Sequence, residues 1–194
     1  MPEFVVNDFS IIAVATGKPK SDKIKKIINR TKYNPNQDYY GAMRTSIKFL
    51  FTGKRHISHL YDIARKRKGS KKVNYEKVAT TFNNWQSGKN ISAYKALREE
   101  YLYQQTKIIC NPELNVTING IPTLVKLHMS QKDKMTQERA NIICHLMKKA
   151  VGSEEYNYLV LDLITGKEYY FNGNSNALST RIENEIELIQ NQLN

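Results

Sequence analysis

The sequence predicts an α+β fold: a helical, basic N-terminal half packed on a small mixed or antiparallel sheet that two later helices cover. Three observations carry this reading. First, closely spaced β-prone runs, Lys-Ile-Ile-Cys at 107–110, Leu-Asn-Val-Thr-Ile at 114–118 and Pro-Thr-Leu-Val-Lys-Leu-His-Met at 122–129, surround Asn119-Gly120, a strong hairpin signal. Second, residues 156–164 alternate Tyr158, Val160, Asp162 and Ile164 against Leu159, Leu161 and Leu163, then turn at 165–167 into 168–171. Third, the remaining apolar residues recur at three- and four-residue spacing, as amphipathic helices require.

At 194 residues, with 40% hydrophobic content, 12 Tyr and 6 Phe, the chain has material for one sizeable core. We divide it into a helical basic region, 1–105, and a strand-rich core, 106–194, within one compact domain. No apolar run is long enough to span a bilayer. Met1-Pro2-Glu3 is no signal-peptide n-region, and residues 9–15 are too short and wrongly flanked for an h-region. A cytoplasmic location without a membrane partner is therefore expected. Cys110 and Cys144 form neither a disulfide framework nor a metal half-site, and are expected as reduced core thiols.

In chain order, residues 4–16 are apolar without choosing between strand and helix. Gly17-Lys18-Pro19-Lys20 should break the chain, with Ser21 capping a helix that presents Ile24, Ile27 and Ile28, and with Lys23, Lys25, Lys26 and Arg30 on its other faces. Thr16-Gly17-Lys18 is not a phosphate loop, because the upstream glycine is missing and Pro follows the Lys. After a polar connection over 31–37 containing Asn34-Pro35, Asp38 should cap a helix to about Phe51. A further helix is expected over 56–66, then a basic loop, then a helix from Asn74 to Gly88 burying Tyr75, Val78, Ala79, Phe82 and Trp85. Residues 92–103 also read as a helix, with Tyr94, Leu97 and Tyr101 on one side. The helix over 136–150 has Glu138 in its first turn, Lys148 and Lys149 in its last and Gly152 beyond. The last helix, 175–193, repeats Leu178, Ile182, Ile186, Ile189 and Leu193.

Charge is the most informative global quantity. Residues 1–105 hold 21 Lys/Arg against 8 Asp/Glu, net +13, whereas residues 106–194 hold 9 against 10, net −1. Residues 65–72, Arg-Lys-Arg-Lys-Gly-Ser-Lys-Lys, concentrate six cations in eight positions. A helix C-terminus accounts for the first of them, but the rest repel one another unless an anion lies against them. We therefore expect a DNA- or RNA-binding protein that uses Arg65, Lys66, Arg67, Lys68, Lys71 and Lys72, without catalytic activity and without a cofactor. His56 and His59, beside this run, suit either phosphate contact or plain surface placement. An adaptor or inhibitor of mobile-element origin, binding an acidic protein, is an alternative.

Pro112-Glu113, a hairpin, and Leu124-Val125-Lys126 on the next strand, preceded by a helix and followed by a helix and a strand, resemble the PD-(D/E)XK, or restriction-endonuclease-like, nucleases over residues 92–165. The resemblance implies a second alternative, a metal-dependent nuclease. In it Glu113 and an acid two residues before Lys126 would hold Mg²⁺, and Lys126 would position or activate the attacking water. Leu124 stands where the second acid belongs, leaving Glu99, Glu100 or Glu138 as candidate replacements. Taken as residues alone, Glu113 reads as a solvated residue at a strand start and Lys126 as an exposed strand residue that would tolerate Ala. His128, Cys144 and His145 match no zinc spacing, and no metal site is assigned to them.

Overall fold

The computed structural model describes residues 2–29, 38–53 and 55–192. The connection expected over 31–37, and the expected surface and core roles of Arg30 and Leu193, lie outside them. The elements in order are β1 Glu3–Val5, α1 Val6–Ala13, α2 Gly17–Ile28, α3 Gly41–Leu50, α4 Ser58–Arg65, α5 Gly69–Gln86, β2 Ile91–Tyr94, β3 Glu99–Tyr103, β4 Thr106–Cys110, β5 Leu114–Ile118, β6 Ile121–His128, α6 Gln137–Val151, β7 Asn157–Asp162, β8 Glu168–Tyr170 and α7 Ser175–Asn191. The fold is α+β.

Five strands form the larger sheet in the order β2-β5-β6-β7-β8. All neighbours are antiparallel except β6 and β7, which run parallel with Leu124 opposite Tyr158 and Lys126 opposite Val160. A parallel pair needs a crossover, and α6 supplies it. Asn119 and Gly120 adopt φ 51° and 86°, the doubly positive turn that this dipeptide favours, and they fix the β5–β6 register. A three-stranded sheet, ordered β1-β4-β3, carries a parallel β1–β4 pair and an antiparallel β3–β4 pair.

Alternation along the larger sheet sends side chains to two cores. On one face Val116, Val125, Leu127, Leu159 and Leu161 meet Met43 and Ile47 of α3, Leu60 of α4, and Tyr75, Val78, Phe82 and Trp85 of α5. On the other, Leu124, Tyr158 and Val160 meet α6, α1, α7 and Ile108 of the small sheet. The helix α6 contacts β7 and β8 of one sheet and β3 and β4 of the other. That position explains why Ala140 and Ile142 through Met147 are buried almost all round it. The Thr136 side chain caps it by accepting from the Arg139 N–H, and Gly152 ends it at φ 69°.

Three expectations are corrected. Residues 92–103 are not a helix: they form β2 and β3, because β5 and β4 each need an edge partner for their backbone groups, and Tyr94, Tyr101 and Tyr103 suit a strand. The helical spacing of Tyr94, Leu97 and Tyr101 was coincidence. Ser21 does not cap α2, which starts at Gly17 and places Pro19 in the first turn, where a missing N–H costs nothing. Asn74 does not cap α5, which starts a turn earlier at Gly69. Residues 4–16 divide into β1 and α1.

α6 and α7 meet through His145, whose Nε2 lies 3.0 Å from Ser179 Oγ and whose Nδ1 lies 3.4 Å from Ser175 Oγ. Burial, with help from Lys149 and Lys148, pushes its pKa down from the ordinary 6.5 to about 4. Because the unfolded chain binds the proton more readily, this contact is intact above pH 6.5 and loses stability as pH falls from there toward 4. Urea unfolding of wild type and His145→Gln across pH 7 to 4 checks this. Wild type should lose more stability than the variant over that window; equal losses would contradict it.

Candidate functional site

Glu113 and Lys126 come together. Glu113 immediately precedes β5 and Lys126 lies within β6, one step beyond the last ladder pair, Leu114 with Val125. Neither is solvated: Lys126 and Glu113 side chains are 5% and 4% exposed, correcting the expectation of an exposed lysine and a solvated acid. The reason is local. Beyond the start of β5, the Leu127 N–H has no ladder partner on that side, and Glu113 Oε2 accepts from it at 2.8 Å. The carboxylate is thereby drawn inward and needs a cation, which Lys126 provides at 2.9 Å from Oε1.

Lys126 has three N–H donors and uses them on Glu113 Oε1, Asn111 O and Asn111 Oδ1, each at 2.9 Å. Arg44 of α3 brings its Nε to 3.6 Å from the same Glu113 oxygen, while its Nη1 donates to Asp38 Oδ2 at 2.7 Å. Lys48, one turn further along α3, feels Glu113, Lys126 and Arg44; burial is the main cause that lowers its pKa, with Lys126 and Arg44 adding and Glu113 opposing. Two cations, Lys126 and Arg44, thus face one buried carboxylate.

This donor set does not fit Mg²⁺. Glu113 has about four acceptor directions; a backbone N–H and an ammonium already stand on two of them, and a guanidinium lies 3.6 Å away. Leu124, where a second acid is expected, is fully buried in the apolar core against α6. Among the candidate replacements, Glu100 pairs with Lys107 at 3.4 Å, Glu138 pairs with Arg181 at 2.7 Å, and Glu99 is exposed on β3. Among the described residues no group of three or more His, Cys, Asp or Glu is placed to hold a metal ion. His128 Nε2 instead meets Ser130 O at 2.9 Å.

The basic run begins as a helix end followed by a loop, as expected, but the loop is short and its last cations are helical. Arg65 closes α4, Lys66, Arg67 and Lys68 connect, and Gly69 at φ 55° turns the chain into α5, so Lys71 and Lys72 occupy a helical first turn. There the helix dipole is itself positive, and each added cation is disfavoured by some tenths of a kcal/mol. Arg65 pairs with Asp62, and Lys72 lies 3.8 Å from Glu76. Lys66 and Lys68 have no ion-pair partner among the described residues. Arg67 lies over the Tyr75 ring at 5.5 Å, and Lys71 lies over Tyr39 at 4.8 Å and Tyr75 at 5.5 Å. His56 is occupied locally, its Nδ1 accepting from the Ser58 N–H at 3.3 Å near the start of α4.

Tyr75 joins this run to α3. It donates to the Tyr39 carbonyl and stacks on Tyr40 with ring centroids 5.8 Å apart, while the charges of both Arg67 and Arg44 act on its hydroxyl. Burial, with Tyr39 and Tyr75 beside it, pushes Tyr40 up to about 12, so this phenol stays neutral and brings no negative charge to the cations. Arg44, Lys48 and Asn111 were not picked out from sequence, and Asp38 was expected only as the cap of α3, a position that Tyr40 takes instead. The available signal was the four-residue spacing of Arg44 and Lys48 on one helix, and Asn111 directly before Pro112.

No family model, curated protein or solved structure matches this chain.

A buried pair broken on one side leaves an unpaired charge, which costs about 3–5 kcal/mol. Lys126→Met and Glu113→Gln should each lose stability on this scale in urea unfolding, and the double variant should lose less than the sum. Loss below about 1 kcal/mol for Lys126→Met would mean the pair is open to water.

Proposed function

We propose that this protein binds nucleic acid through the phosphate backbone, on the basic surface where α4 meets α5, and that it does not cleave what it binds. The observation that carries this reading is the placement of Lys68, Lys71 and Lys72 at the positive end of α5. With Lys66 and Lys68 lacking acidic partners among the described residues, the folded protein concentrates like charge there at a cost to its own stability. A polyanion relieves that cost. Backbone phosphates supply regularly spaced anions, and a protein that contacts them gains further by counterion release.

A nuclease reading has its own support. Glu113 and Lys126 converge, although the helix that the resemblance to PD-(D/E)XK nucleases puts before them is replaced by strands, since Ile91–Tyr94 and Glu99–Tyr103 are β2 and β3. Against it stands the chemistry of the pair. A lysine with all three donors engaged holds no water, and a single carboxylate already facing two cations attracts no dication. We read the arrangement as a nuclease-like scaffold whose ion pair serves the fold.

The test is salt-dependent binding of labelled duplex and single-stranded oligonucleotides. With about four phosphate contacts from the run, the log–log slope of affinity against salt should be roughly −3 to −4. Replacing Arg65, Lys66, Arg67 and Lys68 with Gln should largely abolish binding. Incubation with Mg²⁺ or Mn²⁺ should leave the oligonucleotides intact. Unchanged affinity in the variant, or binding insensitive to salt, would favour an acidic protein partner. Metal-dependent cleavage lost in Glu113→Ala and Lys126→Ala would establish the nuclease.

A further inference from the structure

We infer that Arg44 and Lys48 form a second anion seat, one that takes a phosphate group over the closed Glu113–Lys126 pair and separate from the Arg65-to-Lys72 run. Both lie on α3, four residues apart, so their side chains rise from one face of the helix. Beneath them the Glu113 carboxylate is committed to Lys126 and the Leu127 N–H, with Arg44 Nε held at 3.6 Å, beyond direct hydrogen-bond length.

The charge count explains why an anion belongs here. Arg44, Lys48 and Lys126 carry three positive charges; Glu113 and Asp38 return two. Lys126 is sealed, so the surplus falls on the two α3 side chains, of which Arg44 is one-third exposed and Lys48 is solvent-accessible at the rim. Arg44 is oriented by Asp38 through Nη1, with Nε turned toward Glu113 and a side chain one-third exposed, while the exposed Lys48 ammonium carries three donors. Tetrahedral phosphate oxygens fit such a pair better than a planar carboxylate, because a forked guanidinium and a point ammonium approach from different directions.

The group seated here is a phosphate, either a backbone phosphodiester or free inorganic phosphate. In the first case the inference rests on the nucleic-acid reading.

The experiment uses Lys48→Gln, an exposed position at which the fold should survive, beside wild type. Titration of inorganic phosphate, followed by ¹H–¹⁵N shifts of α3, should show saturable binding in wild type and about tenfold or greater weakening in the variant. No binding in wild type, or equal binding in both, overturns the seat whatever the outcome with nucleic acid. In the oligonucleotide salt titration, a slope less negative by about 1 in the variant assigns the seat to a phosphodiester. An unchanged slope with lost phosphate binding assigns it to free phosphate, and leaves the Arg65-to-Lys72 interface unaffected.

Discussion

The buried ion pair between Glu113 and Lys126 constrains the rest of the molecule. A carboxylate 4% exposed is tolerable only if a cation and hydrogen bonds replace its water, and here Lys126, the Leu127 N–H and Arg44 do so together. The pair fixes where β5 begins beside β6, and through Asn111 it orients the chain leaving β4. The register it holds sends Leu124 to one core and Val125 and Leu127 to the other. A one-residue slip would exchange those faces and strand both charges in hydrocarbon.

The same pair ties the sheet to the basic N-terminal half. Arg44 bridges Glu113 and Asp38, so α3 is docked electrostatically as well as through Met43 and Ile47. From Asp38 the backbone passes into Tyr39 and Tyr40, which pack on Tyr75, and Tyr75 lies under Arg67 and Lys71. The cations proposed to meet phosphate are therefore carried on α4, α5 and the short connection between them, with aromatic rings beneath Arg67 and Lys71. Such a mount limits the entropy lost when the side chains engage a ligand.

Local rules made much of this legible in the sequence. Asn119-Gly120 gave the turn, because few other dipeptides accept two positive φ angles. Thr136, Glu138, Lys148 and Gly152 placed α6 to within a residue, because capping and dipole effects act over a single turn. What escaped was set by partners distant in sequence. Residues 91–94 are a strand because β5 needs an edge, a requirement that their own side chains do not encode. Lys126 alternates as an exposed residue should, yet it is buried because Glu113, thirteen residues earlier, is pulled inward by an orphaned N–H. Arg44 was invisible for the same reason, since its partner Glu113 lies in a connection some seventy residues on.

One face, from the α4–α5 junction to α3, is proposed to meet nucleic-acid phosphates. Mapping ¹H–¹⁵N shift changes on addition of a short oligonucleotide at low salt tests it most directly. The account predicts changes concentrated at Lys66, Arg67, Lys68, Lys71 and Lys72, extending to Arg44 and Lys48, with α6 and α7 unmoved. Changes centred on another surface, or none at all, would contradict it.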